Sequence, residues 1–480
     1  MVTLTMTARW LPPVLSRLLA ATMLAAAVVA FPSAITAHSA TTITCGDITA
    51  LKAAISAGGT IDLASYCVYV LPAADSGVDG LPPVTNNTLI NGNHATIRRD
   101  PTLTTAIPFR ILDIASGGHL AISDLTVMNG AVTSLSDRGG GVLVQNGGIL
   151  TATNVNFQGN TAGYGGGLAV ASGASADLTG GLIGDNTASG SGAGIVTNGG
   201  VTLHGTTVSG NRVTAAGVDG AGGGVAVFNS GSFTTDATGN RTVIKNNTAP
   251  LGGGVFGQAQ VPGWTLTLQN ADVLGNTAKT GEGGGIAALG NGNATITNST
   301  IAGNTAFLST GGRPAGGGLS ADFTPDGTST MALDQTKVTG NKVVGAHGEG
   351  GGISHYGGAL TLQNGTIVSG NLASGQYSRG GGLFSSTPRS SESLTVDNSS
   401  VSSNKVTGTL SQTGGVYITG TPTVTFDSAT ITGNSAPPAP APGGVYSDVD
   451  ITPAGTTTIT GNTPTNCKYS PATITGCIDS

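Results

Sequence analysis

Three glutamates, Glu282, Glu349 and Glu392, are all that a chain of 480 residues contains. Two of them share one local setting, directly before a run of glycines: Glu282-Gly-Gly-Gly285 and Glu349-Gly-Gly-Gly352. Arg379 holds the same place before Gly380, and Arg313, His347 and Tyr377 lie just upstream of such runs. Carboxylates at recurring positions invite general acid–base chemistry, because inverting glycoside hydrolysis needs two of them ~6.5–9.5 Å apart. Glu282 and Glu349 would meet that spacing if they stacked two repeats apart at ~4.8 Å per repeat. The competing reading is an exposed ion pair in which Glu349 and Arg379 neutralise each other, worth ~0–1 kcal/mol. A carboxylate paired in this way has a lowered pKa and makes a poor acid at neutral pH. A lyase asks for several carboxylates around calcium, which takes about six to eight oxygens, and for a basic residue besides. The chain has no Asp-Asp pair and no Asn-Thr-Asp, and His204-Gly205 and His347-Gly348 only faintly echo a His-Gly motif. The expectation is therefore a binding face built from Glu282, Arg313, His347, Glu349, Tyr377 and Arg379, with no cofactor and no metal. The alternative is a polysaccharide lyase or glycoside hydrolase that uses Glu282, Glu349 and Arg379.

A repeat must position these residues. Asn recurs at Asn160, Asn186, Asn211, Asn247, Asn276, Asn304, Asn341, Asn371, Asn404, Asn434 and Asn462, eleven copies at a mean step of about 30 residues. The residue three before each Asn is apolar, from Phe157 and Ile183 to Ile431 and Ile459. Two after it stands Ala or Val in ten copies, and Pro464 in the last. A fixed motif at a period of roughly 20–50 residues means stacked repeats. Within each copy apolar residues alternate, as in Trp264-Thr-Leu-Thr-Leu268, which is the period of a short strand with one buried face. About three such runs fit each copy, and none shows a sustained helical period. The expected fold is all-β, a right-handed parallel β-helix with three short strands per coil over residues 86–462. Steps of 25 to 37 residues argue against a left-handed helix of six-residue repeats. A propeller blade needs about four strands and 40 or more residues. The 80 glycines show no every-third period, which excludes collagen, and they lack the flanking Asp of the calcium-binding nonapeptide roll. An inward Asn at the same turn of each coil can donate and accept along the axis as a ladder, and glycine supplies the next corner.

With Phe157-Gln-Gly-Asn160 matching F-x-x-N, and Gly283-Gly-Gly-Ile286 approximating G-G-A-I, the chain resembles the secreted bacterial right-handed parallel β-helix repeat proteins of the pectin-lyase-like fold. It is also similar to the passenger repeats of the chlamydial polymorphic outer-membrane proteins. The resemblance covers residues 85–465 and implies a secreted, adhesin-like protein at or near the cell surface. The matched residues are structural ones, so it implies no activity.

The ends read differently. Residues 1–37 form a signal peptide, with Arg9 and Arg17 before an apolar run from Leu18 to Phe31 that is short of the ~20 residues needed to span a membrane. A cap follows over residues 41–85, with a helix from Asp47 as N-cap to Gly58, placing Ile48, Leu51 and Ile55 on one face. Four cysteines lie only at the ends, which points to local bridges, Cys45 with Cys67 and Cys467 with Cys477, the latter in a cap over residues 463–480. Zinc is disfavoured, since no C-x-x-C spacing and no neighbouring His occurs. The net charge is −6 with scattered Lys and Arg, which argues against nucleic acid as a partner and leaves glycans or cell-surface components.

Overall fold

The computed structural model describes residues 40–479 apart from 105–106, 135, 216–219, 309–311, 325–327 and 438–440. The signal peptide expected over residues 1–37 lies outside them. From Thr41 the chain winds into an all-β parallel solenoid of about 13 turns. One coil illustrates the rest. Its strands are Leu168–Val170, Ser175–Thr179, Leu182–Gly184 and Thr187–Ala188. Each pairs in parallel, residue for residue, with its counterpart in the next coil: Leu168 with Ile195, Ala176 with Val201, Ile183 with Val208, Thr187 with Arg212. The fourth strand, just after the Asn, forms a separate ladder of nine strands and adds to the three expected per coil. At two or three residues it is too short to show a period of its own.

The alternation read in the sequence is what packs the interior. Leu168, Val170, Ala176, Leu178 and Ile183 all point into one continuous apolar core shared by successive coils. Large side chains fill it where neighbours are small. Trp264 is fully buried and donates its Nε1–H to Leu289 O at 2.9 Å. A Cβ at Gly292 would come within 2.2 Å of that indole, so only glycine lets the next coil pass.

The eleven ladder asparagines are buried, none more than 6% exposed. Asn186 Nδ2 donates to Asn211 Oδ1 at 2.9 Å and to Phe157 O at 2.9 Å, while its own Oδ1 accepts from Asn160 N at 2.9 Å and Asn160 Nδ2 at 3.1 Å. Every lone pair and proton of the amide is used, and the same four bonds recur at Asn304. The glycine run is coupled to this ladder. A Cβ at Gly167 would lie 2.9 Å from Asn186 Nδ2 and 2.7 Å from Gly194 O, so a side chain there would push the Asn of the next coil out of its bonds.

Both ends are closed. The helix Ile48–Ala57 buries Leu51, Ala54 and Ile55, and the Asp47 carboxylate caps it by accepting from Ala50 N at 2.9 Å. Cys45 is bonded to Cys67, with Cα atoms 5.5 Å apart. At the other end Cys467 is bonded to Cys477, with Cα atoms 6.5 Å apart. This cap does more than close a loop. Asn462 Nδ2 passes the ladder to Asn466 Oδ1 at 3.0 Å, and Asp479 Oδ1 then accepts from Asn466 N at 2.6 Å and Cys467 N at 2.9 Å. Asn466 is a twelfth rung that falls outside the repeat spacing, and Asp479 ends the series. No helix among the described residues is long and apolar enough to cross a membrane.

Candidate functional site

Because the coils stack in register, equivalent side chains line up parallel to the axis. On the first strand of each coil the inward residues feed the core and the outward ones form the floor of an axial groove. The floor runs Val196, Ala226, Phe256, Ala287, Ser320, Ser354, Phe384, Tyr417, Tyr446. One wall is the residue preceding each glycine run. Arg138 bridges to Tyr164, Ala221 to Leu251, and Glu282 through Ala315 to Glu349, Arg379 and Gln412. The other wall is the second outward residue of the same strand, running Phe228, Gln258, Leu289, Asp322, Tyr356, Ser386, Thr419.

Chemically the groove has three segments. Towards the N-terminus it widens to a cleft of about 490 Å³ lined by Tyr164, Phe228, Phe256, Asn198, Gln258 and Arg138, among others. Phe228 and Phe256 meet at a tilt, centroids 5.8 Å apart, and the Arg138 guanidinium lies 5.8 Å over Tyr164. Towards the C-terminus Phe384, Tyr417 and Tyr446 stack on one another at 5.6 and 4.5 Å, so their faces are used up along the axis and their edges face outward.

The middle segment is acidic and holds the residues singled out in the sequence. Glu282 and Glu349 stand two rungs apart in the wall, with Ala315 between them. Glu349 is 2% exposed; its Oε1 pairs with Arg313 at 3.3 Å and its Oε2 accepts from the Tyr356 hydroxyl. Arg379, one rung on, is not its partner. The Arg379 guanidinium turns along the axis and lies 5.2 Å over the Tyr417 ring. The expected neutralisation of Glu349 by Arg379 is thus replaced by Arg313, which reaches in from the preceding loop. The Tyr356 hydroxyl is pushed up, by burial first and then by the adjoining Glu349. Glu282 has no such help. Burial, with Asp322 across the groove, pushes its carboxyl up to about 7, and its Oε2 is shielded from water without a hydrogen-bond partner. His347 and Tyr377 stack on each other, centroids 4.8 Å apart and planes 9° off parallel, on the loops above this wall.

The sequence did not point to Asp322, Tyr356, Gln258 or Phe228, because nothing in their local spacing distinguishes an outward strand residue over a groove from one in open solvent. A second cleft, of about 560 Å³, was also unforeseen. It surrounds His204, whose Nε2 meets Asp177 at 3.1 Å and whose Nδ1 meets Asp236 at 2.7 Å. The two carboxylates take opposite ring nitrogens, so they hold the imidazole between them and do not converge on a common point.

No family model and no curated protein matches the chain. Among solved structures it is similar to the tailspike protein of E. coli bacteriophage HK620, in a mutant form in complex with a pentasaccharide, at 13% identity over 86% of this chain and 76% of that one, TM-score 0.26. It is also similar to PfbA, a surface adhesin of Streptococcus pneumoniae, at 11% identity over 87% of this chain and 90% of that one, TM-score 0.24.

Proposed function

We propose that this protein binds a carbohydrate chain laid along the axial groove and acts without turnover as a secreted, adhesin-like solenoid at or near a cell surface. The observation that carries this reading is the wide segment of the groove, a cleft of about 490 Å³ whose lining combines the aromatics Tyr164, Phe228 and Phe256 with the amides Asn198, Asn229 and Gln258. Sugars present apolar C–H faces and hydroxyls together, and a mostly apolar cleft with a few fixed amides answers both. Continuity in register sets an outward side chain in the groove every ~4.8 Å along the axis, which suits a linear polymer. Secretion is supported by the two bridged cysteine pairs and by the leader read in the sequence. Kinship with the polymorphic outer-membrane type rests on Phe157-Gln-Gly-Asn160 and its stacked copies. A glycan array probed with the full chain tests the reading. Binding that falls at least tenfold in Phe228→Ala and Gln258→Ala is expected, and an array without any bound glycan overturns it.

A second reading, glycoside hydrolysis, has one observation in its favour. Glu282, at about 7, is tuned as a general acid is. It lacks a base. Glu349 is sealed by Arg313 and Tyr356, and a base must reach a water molecule. Reducing-end release from polysaccharides by the parent, lost in Glu282→Gln, would install the enzyme.

A further inference from the structure

We infer that the middle of the groove is a site for a protonated primary amine, so that the carbohydrate chain it takes carries free amino groups: Glu282 and Asp322 stand one rung apart on opposite walls, over a floor that runs from Ala287 to Ser320, and neither is paired with a cation among the described residues. The inference rests on the glycan-binding reading and narrows it.

Four observations converge. Among the described residues neither Glu282 nor Asp322 forms an ion pair, and the Arg313 guanidinium, from the loop before Ala315, is engaged with Glu349 at 3.3 Å. Ser320, level with Asp322, is fully buried at 0% exposure, yet its hydroxyl oxygen has no hydrogen-bond partner, and neither does Glu282 Oε2. Its neighbours Leu319 and Ala321 belong to the core, so the alternation of the strand turns the serine outward, towards the groove. Finally, the groups offered are all oxygen: two carboxylates and a hydroxyl. Unpartnered buried oxygens cost free energy until a donor arrives.

A primary ammonium brings three N–H donors and a positive charge. An N-acetylated sugar brings one N–H and a carbonyl that would oppose the carboxylates, and a uronate would be repelled outright. Calcium is a poorer fit, because it needs about six to eight convergent oxygens. Among the described residues the only His, Cys, Asp or Glu group with ligand atoms within 4.8 Å of one another is Cys467, Cys477 and Asp479, elsewhere in the fold. The raised Glu282 carboxyl fits the same picture. A carboxylate without a counter-ion holds its proton, and an ammonium partner would draw its pKa back down.

The test is calorimetric titration of the full chain, at about pH 7 and low salt, with a glucosamine oligomer and with the N-acetylated oligomer of equal length. The free-amine oligomer is expected to bind at least tenfold tighter. That preference should fall towards unity in the double variant Glu282→Gln, Asp322→Asn, and at 1 M salt, where charges are screened beyond about 3 Å. Asp397→Asn with Asp427→Asn makes the same charge change on the second strands of two coils, outside the groove, and should leave the preference at its parent value. Equal affinities for the two oligomers, or a preference that survives the double variant, overturns the amine site while binding itself upholds the groove. Failure of both oligomers, together with a blank glycan array, overturns the groove reading and the amine site with it.

Discussion

A single ladder asparagine carries four hydrogen bonds, and removing one strands its neighbours. Asn304→Leu leaves Asn276 N and one Nδ2 proton of Asn276 without an acceptor, and takes one donor each from Asn341 Oδ1 and Val273 O. Denaturant unfolding should show a loss of ~1–3 kcal/mol, the penalty for buried groups left unpaired; a neutral result would mean that the interior admits water. His355 makes a second residue-scale case. Fully buried and joined through Nδ1 to Ser385 Oγ at 3.1 Å, its imidazole is pushed down by burial to about 4. The unfolded chain therefore takes up this proton first as pH falls. The contribution is intact above the unfolded value of ~6.5, drains as pH falls through the folded value, and amounts to roughly 3 kcal/mol. Glu282 has the opposite sign, its raised carboxyl favouring the fold at low pH. The measurement is therefore the difference in pH dependence between the parent and His355→Leu, which should be confined to the interval from about 6.5 to 4. The ladder was legible in the sequence because Asn recurs with an apolar residue three before it. The partner of Glu349 was not, since register set Arg379 beside it while a longer reach from Arg313 decided the contact.

At the scale of the element, the corner glycines show what each coil requires. Gly165, Gly222, Gly252, Gly283, Gly316, Gly350 and Gly380 open their runs at φ between 56° and 66°. In the following coil the same corner is Thr413, at φ 60°, fully buried and with its hydroxyl unpartnered. A β-branched residue in the left-handed region is strained by about 1–3 kcal/mol. Thr413→Gly should accordingly stabilise the protein by roughly 1 kcal/mol after the lost methyl contacts are discounted; an unchanged or lower unfolding midpoint would show that this corner has relaxed around threonine. The end caps are elements too, and the ladder gives the C-terminal one a specific task. Asp479→Ala removes the acceptor for Asn466 N and Cys467 N. Hydrogen exchange should then quicken at those two amides and leave Asn304 N, far from the end, unchanged. Sequence spacing located the cysteines and the capping helix, since both have strong local signals. Asn466 and Asp479 escaped because they fall outside the period and act only once the last coil turns back.

For the whole molecule the governing fact is that each coil touches only its neighbours, so stability is close to a sum of coil and interface terms. Sequence period conveyed this architecture almost completely. The groove was hidden for a reason of the same kind: its floor and walls are outward positions from many coils, each polar or small by itself, and they become one surface only through register. That makes register the quantity to test. Deleting Leu168–Gly194 removes one complete coil and joins Gly167 directly to Ile195, the residue that pairs with Leu168. The ladder then passes from Asn160 to Asn211, and Tyr164 comes to stand beside Ala221 in the groove wall. Deleting only Leu168–Gly180 removes two strands and leaves the rest of that coil without partners in phase. A one-residue slip already turns every side chain of a strand to the wrong face, and this deletion shifts far more. The full-coil deletion should give a monodisperse protein on gel filtration, with the far-ultraviolet spectrum of the parent per residue and a cooperative melt a few degrees lower, about what is expected for a loss of 1–2 kcal/mol in a chain this long. The partial deletion should aggregate or unfold. Equal behaviour of the two, whether both fold or both fail, would show that the coils are not interchangeable units and that the stacking of residues from Arg138 to Tyr446 into one groove needs another cause.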